Sequence, residues 1–331
     1  MTASRRRVLA SAIAAPFVAR AQAPEPLTFA TPFGFIPDFI EMMNMVSGGH
    51  LAARGFAPRL VGAQGTSAAL QQLLAGQAAF ARTTAIDQFL AVAKSGAPLV
   101  AIATLYQAGT FQVISLADKP IREAKDFAGK TVGIVSVGGS TDLLLDIMLR
   151  KAGVPKDAVK REVVGNSPGA VQFIRQGRID CFIAAIGVAV TLRRGNTPVE
   201  VWSTDRHAPM PGQAFVTTAA LAESRPETVV RFLRALRASA TEIMQGDKRA
   251  IFQRAARDFE IPGIRDLDAL VALTEVAVTE MWLSQGRANF LRNVPALWEA
   301  ADEGIRGAGI AAVPDPLALY TNRFIDRALA G

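Results

Sequence analysis

Cysteine and histidine are scarce in this chain: Cys181, His50 and His207 are the only ones among 331 residues. A lone cysteine excludes an internal disulfide, and its place in the apolar run 179–192 reads as that of a small buried hydrophobe. One cysteine and two distant histidines fall short of the three or four ligands of a zinc site. Neither histidine has a recognisable triad context, so nucleophilic catalysis has no visible machinery. Uninterrupted hydrophobic runs are lacking too. Residues 97–117 carry no charge, but Pro98, Gln107, Gly109 and Gln112 break the segment, which divides into two buried strands rather than a membrane span.

Acidic residues are absent from the first 21 positions, which hold Arg5, Arg6, Arg7 and Arg20. The formal charge is +7, and setting these four aside leaves +3, too weak and scattered for a nucleic-acid surface. Ser4-Arg5-Arg6-Arg7-Val8-Leu9-Ala10 is a twin-arginine export pattern. The apolar stretch 8–18 is too short to cross a bilayer, and Ala19-Arg20-Ala21 is a small-x-small cleavage site. The sequence therefore predicts a signal peptide over 1–21, the twin-arginine route and a periplasmic location.

Half of the residues are apolar, enough for two lobes with their own cores. The chain is organised around 129–149. Residues 131–135 form a β-branched run suited to a buried parallel strand, 136–139 a small-residue turn, and Ser140, Thr141 and Asp142 can cap the apolar-periodic helix that follows. Unpaired N–H groups at a helix start, with glycines that admit close approach, make a seat for an anion or a polar oxygen. An ordinary strand-to-helix turn is the other reading, and the phosphate-loop spacing is absent. Residues 27–30 repeat the plan as a first strand, with 31–37 as a loop before a helix that Asp38 can cap.

An internal resemblance ties the two halves together. Gly65-Thr66-Ser67-Ala68-Ala69-Leu70-Gln71 leads through a helix to Gly76 and a strand near Phe80; Asn166-Ser167-Pro168-Gly169-Ala170-Val171-Gln172 leads through a helix to Gly177 and a strand near Phe182. Superposing Gly76 on Gly177 aligns Ala69 with Ala170 and Gln71 with Gln172. The fold expected is α/β and two-lobed, each lobe a mostly parallel sheet flanked by helices. The strand-like runs Phe111–Leu116 and Val199–Ser203 are expected as two crossover segments. Lobe one then comprises 24–114 and 206–331, and lobe two 115–205. From Ala219 the chain turns helical, with Arg225, Arg231, Arg234 and Arg237 on a solvated face.

Asp126-Phe127-Ala128-Gly129-Lys130-Thr131-Val132-Gly133, followed by Gly139-Ser140-Thr141, resembles the second-lobe signature of periplasmic solute-binding proteins of the nitrate, sulfonate and taurine type. That group also includes binders of thiamine-pyrimidine precursors. Ala69-Leu70 with Leu73, Leu74 and Gly76, then Gly177-Arg178-Ile179-Asp180, then the segment from Arg225 to Leu233 fit in the same order. Ala79 and Arg82-Thr83-Thr84 depart from the family's usual acidic residue and glycine-rich turn. Arg82 reads either as a bidentate partner for a solute's anion or as a solvent-facing side chain.

The resemblance implies a non-enzymatic, monomeric binding component of an ABC importer, working without a cofactor and with a membrane permease and its ATPase. Its solute would be small and anionic or strongly polar, like a sulfonate, nitrate or taurine. A pyrimidine precursor or aromatic compound is the alternative within the class; an exported enzyme or a sensor subunit is the alternative outside it. The related pyrimidine-forming enzymes carry a cysteine-rich segment that this chain lacks. Open α/β sheets bind at the carboxyl ends of their strands. The expected site therefore takes Thr31, Phe33, Thr66, Ser67, Arg82, Thr83, Thr84 and Tyr106 from lobe one. Gly138, Gly139, Ser140, Thr141, Asn166 and Ser167 come from lobe two. Trp202 reads as a cleft wall or as a structural anchor.

Overall fold

The computed structural model describes residues 23–330, so the expected signal peptide lies outside the described residues. Among them are ten strands: β1 (Glu25–Phe35), β2 (Phe56–Gly62), β3 (Phe80–Thr84), β4 (Leu99–Tyr106), β5 (Phe111–Leu116), β6 (Thr131–Ile134), β7 (Lys160–Val163), β8 (Cys181–Ala185), β9 (Val199–Ser203) and β10 (Gln213–Thr218). Helices α1 (Ile40–Ser47), α2 (Thr66–Leu74) and α3 (Ala85–Ser95) connect the first strands, and α4 (Ser140–Ala152), α5 (Val171–Arg175) and α6 (Ile186–Arg194) the next. The remainder is helical: α7 (Ala219–Ser224), α8 (Pro226–Gln245), α9 (Lys248–Ala255), α10 (Leu267–Val276), α11 (Pro295–Gly307) and α12 (Arg323–Leu329). No helix among the described residues is long and apolar enough to cross a membrane.

Two five-stranded sheets share one topology, β2-β1-β3-β10-β4 and β7-β6-β8-β5-β9. In each, the first three strands run parallel and the fourth is antiparallel to both neighbours. The two repeats occupy equivalent places. Gly76 and Gly177 both adopt φ +70°, and each N–H returns to the carbonyl three residues back, at 3.0 and 2.9 Å. Only glycine takes that left-handed conformation without strain, which accounts for the one residue type needed at both positions.

The structure corrects two local expectations. Phe111–Leu116 and Val199–Ser203 are strands paired with each other inside sheet two, and the chain changes sheets just outside them, at 107–110 and 204–212. Their apolar, β-branched composition belongs to sheet interior rather than to a crossing segment. The first strand also outruns 27–30: Thr31 still pairs with Gly62, and Phe33 forms a bridge with Gln64.

Phe29, Phe80 and Phe215 of sheet one close on Phe232 of α8, with Phe80 stacked at 3.9 Å between ring centroids and the others edge-on at 5.7 and 5.9 Å. Each fully buried ring contributes roughly 1.5–3 kcal/mol. The arginines of α8 do more than face water. Arg225 and Arg231 both pair with Glu25 at the start of β1, and Arg237 donates to the carbonyls of Ala328 and Leu329.

The lobes also touch. Ile186 and Val190 of α6 pack into the core beneath sheet one, Gly187 gives Leu273 of α10 room to approach, and Gly304 of α11 lies against Ile147 of α4. A second cluster runs continuously through both lobes and includes Phe89, Trp298, Leu144 and Cys181. Cys181 packs there as a small hydrophobe, and burial pushes its thiol up.

Candidate functional site between the lobes

The two crossing segments lie against one another. Gly109 donates its N–H to Asp205 Oδ2 at 2.7 Å, and Gly212 donates to the Tyr106 carbonyl at 2.8 Å. A Cβ on Gly109 would collide with the Asp205 carboxylate, and one on Gly212 with the Ala108 carbonyl, so both positions require glycine. Burial pushes Asp205 up to about 6 despite the N–H groups of Gly109 and Met210 that favour its ionised form. A carboxyl raised in the folded state lends stability that is complete below the unfolded carboxylate range and is lost as pH rises through about 6. Asp205→Asn is therefore expected to flatten the fall in melting temperature between pH 4 and 7, a difference on the order of 2–3 kcal/mol. Parallel melting curves for the two proteins across that range would assign the titration elsewhere.

In front of the crossings, the starts of α3 and α4 face a cavity of about 20 Å³, space for one water, lined by Thr84 and Ile86 of lobe one and Ser140 and Leu144 of lobe two. Gly109, Thr110 and Phe111, with 210–212, form its floor. The lining holds no charged side chain. Of the expected site residues, Thr84 and Ser140 are the pair that meets across this space.

The others are distributed by their local bonds. Thr31 is buried and donates its hydroxyl to the Gly34 carbonyl; Thr83 is buried and donates to the Thr84 carbonyl at 3.2 Å. Phe33 is 53 % exposed. Phe35 instead packs on Phe259, 4.9 Å between centroids. Thr66 is buried while Ser67 is exposed. In lobe two, the Gly138 N–H is taken by Asp142 Oδ2 at 2.8 Å, Thr141 Oγ accepts from Val135 N–H at 2.9 Å, and Asn166 Oδ1 accepts from Ala185 N–H at 2.9 Å. Gly139 donates to Ser136, and Ser167 is exposed. Much of the expected donor set thus holds its own turns together, and Ser140 is left facing the cleft.

Arg82, Tyr106 and Trp202 sit away from that cavity. Arg82 is fully buried in lobe one, paired with the equally buried Glu41 of α1 and donating to the Asp38 carbonyl at 3.0 Å. Its guanidinium lies 4.4 Å from the Tyr106 ring and 5.0 Å from that of Phe39. Both open readings of this arginine, anion clamp and solvent-facing chain, give way to a core ion pair. Tyr106 donates its hydroxyl to Asp38 O, and Trp202, whose Nε1 donates to Ile121 O at 2.8 Å, lines a separate cavity beside α6.

Asp87 was not among the sequence candidates. Its carboxylate accepts from the Thr84 hydroxyl at 2.7 Å and its N–H donates back to that oxygen at 3.2 Å. Burial pushes the carboxyl up even though the hydroxyls of Thr84 and Thr66 pull it down. The signal was present in the sequence, since Thr84-Ala85-Ile86-Asp87 carries the spacing of a capping box. At α4, Asp142 is paired with Arg161 at 3.0 Å. Both helix starts at the cleft thus carry their own carboxylate.

Two sheets of equal topology, linked by two crossing segments with a cavity between helix starts, define the two-lobed periplasmic-binding-protein fold. The chain belongs to the NMT1/THI5-like family, whose profile matches residues 37–250. A curated relative, riboflavin-binding protein RibY of Chloroflexus aurantiacus, is 24% identical over 252 residues, 75% of this chain and 70% of RibY. The periplasmic aliphatic sulphonate binding protein SsuA of Escherichia coli superposes with a TM-score of 0.66 at 16% identity, covering 89% of this chain and 91% of SsuA. The desulfurization enzyme DSZB also shares the fold, with a TM-score of 0.56 at 15% identity over 92% of this chain and 99% of its own. At these identities the two structures speak for the fold alone.

Proposed function

We propose that this protein is the extracytoplasmic binding component of an ABC importer, which closes its lobes on an uncharged, flat heterocyclic solute and presents it to a membrane permease driven by an ATPase. The observation that carries the solute class is the uncharged lining between α3 and α4, with Arg82, the cation expected there, buried in lobe one against Glu41. A sulfonate or nitrate needs a fixed positive charge or a set of free N–H donors. Here the helix starts also carry the carboxyl groups of Asp87 and Asp142, which disfavour an anion. Phe33 at the end of β1 and Val137 after β6, the latter 79 % exposed, offer apolar surface at the sheet ends of each lobe, suited to an aromatic face. The riboflavin-binding relative supports this class. Export through the twin-arginine route and lobe boundaries near the two crossings belong to the same reading.

Binding proceeds by closure: the solute bridges Thr84 and Ser140 as the lobes come together. A thermal-shift panel tests the solute class. Riboflavin and substituted pyrimidines are expected to raise the melting temperature, since a ligand at a hundred times its Kd adds about 2.7 kcal/mol, while taurine and nitrate leave it unchanged. Phe33→Ala is expected to weaken the heterocycle about ten-fold. Stabilisation by taurine or nitrate with no response to heterocycles would reverse the assignment.

A further inference from the structure

A second cavity, of about 290 Å³, lies between α6, the end of β9 and a π-helical segment, Ala277–Trp282, and shares no lining residue with the first. Its volume lies just below the roughly 300–1,000 Å³ typical of small-molecule pockets. Gln112 of β5 lines it with only 6 % of its surface exposed, and its side chain makes no hydrogen bond among the described residues. The residue is otherwise enclosed, and its amide, without a bond to the described residues, is open to the cavity and free to bond an occupant.

Charges of both signs line the same cavity. Arg193 on α6 and Glu280 on the π-helical segment both line the cavity, one from each lobe, and neither forms an ion pair among the described residues. Arg206 is already engaged, its guanidinium 5.5 Å from the Trp202 ring and one N–H on the Arg122 carbonyl at 2.9 Å. Ile186, Ala189 and Met281 supply an apolar wall. A π-helical turn is a local distortion frequent at functional sites, and here it carries Glu280 and Met281 to the cavity.

We propose that this cavity is a second ligand site, for a small zwitterion of the α-amino-acid class with an apolar side chain. The carboxylate pairs with Arg193, the ammonium with Glu280, the Gln112 amide completes the polar contacts, and the side chain lies on the apolar wall. Such a ligand bridges the lobes and so couples its own binding to their relative position. The proposal stands independently of what the cleft between α3 and α4 binds.

Calorimetric titration of the protein with L-leucine, followed by hydrogen exchange, tests it. Binding with one-to-one stoichiometry is expected, weakened at least about ten-fold in Arg193→Ala and in Glu280→Gln, two exposed positions whose variants should melt as the parent does without ligand. L-leucine should slow exchange in 186–194 and 277–282. No binding up to about 10 mM, equal affinity in both variants, or protection confined to 136–141 would each overturn the second site.

Discussion

Arg82→Ala is expected to lower the unfolding free energy by about 3–5 kcal/mol, the usual consequence of leaving one member of a buried ion pair without its partner. Arg82 and Glu41 are both wholly inaccessible, and the guanidinium is held between the rings of Tyr106 and Phe39. Without it, Glu41 would be left without its partner in the core of lobe one, where burial already pushes its carboxyl up. Loss of Arg82 raises it further, so the variant's native state binds a proton that the unfolded chain releases. The deficit should therefore be larger at pH 8 than at pH 5. Arg82→Met combined with Glu41→Leu should recover most of the loss, because apolar groups of similar volume replace a buried pair at little cost. Urea unfolding at both pH values measures all three. A loss below about 1 kcal/mol together with abolished solute binding would return Arg82 to the binding site.

Ser140→Trp is expected to weaken solute binding about ten- to a hundred-fold while leaving the fold intact. Ser140 begins α4 and faces Thr84 across a void of about 20 Å³, far too small for an indole. Overpacking of this kind costs about 1–3 kcal/mol, and because the strain arises only where the lobes meet, it falls on the closed state. The helix start itself survives, since Thr141 and Asp142 hold the turn through Val135 and Gly138. Small-angle scattering with saturating solute should show the parent compacting and the variant failing to. Parental affinity in a folded variant would remove the start of α4 from the site and with it the closure mechanism.

The alternation of strand and helix and the repeated β-α-β unit were legible because both rest on local chemistry, a β-branched run ending in a glycine that takes positive φ. Side-chain direction at the site was less so. In the run Phe80-Ala81-Arg82-Thr83-Thr84, a period of two places Arg82 on the face of Phe80, toward the core, yet the charge argues for solvent or ligand until Glu41 is brought beside it by α1. Phe111–Leu116 and Val199–Ser203 looked like crossovers because apolar strands read alike whether they pair inside one sheet or link two. Asp205 was invisible for a different reason: its partner Gly109 is 96 residues away, and neither carries a local motif.

The placement of β10 bears on how the molecule is made. β10 lies between β3 and β4, and β4 pairs with no other strand of its sheet. Sheet one thus cannot close until residues 213–218 exist, after every strand of sheet two has been synthesised. A nascent chain ending at Ser203 would present two open edges, at β3 and β4, while sheet two, continuous from Phe111 to Ser203, already has all its strands. During synthesis, sheet two can therefore be completed before sheet one, whose closure waits for a long-range pairing of the kind that slows folding and leaves strand edges exposed meanwhile.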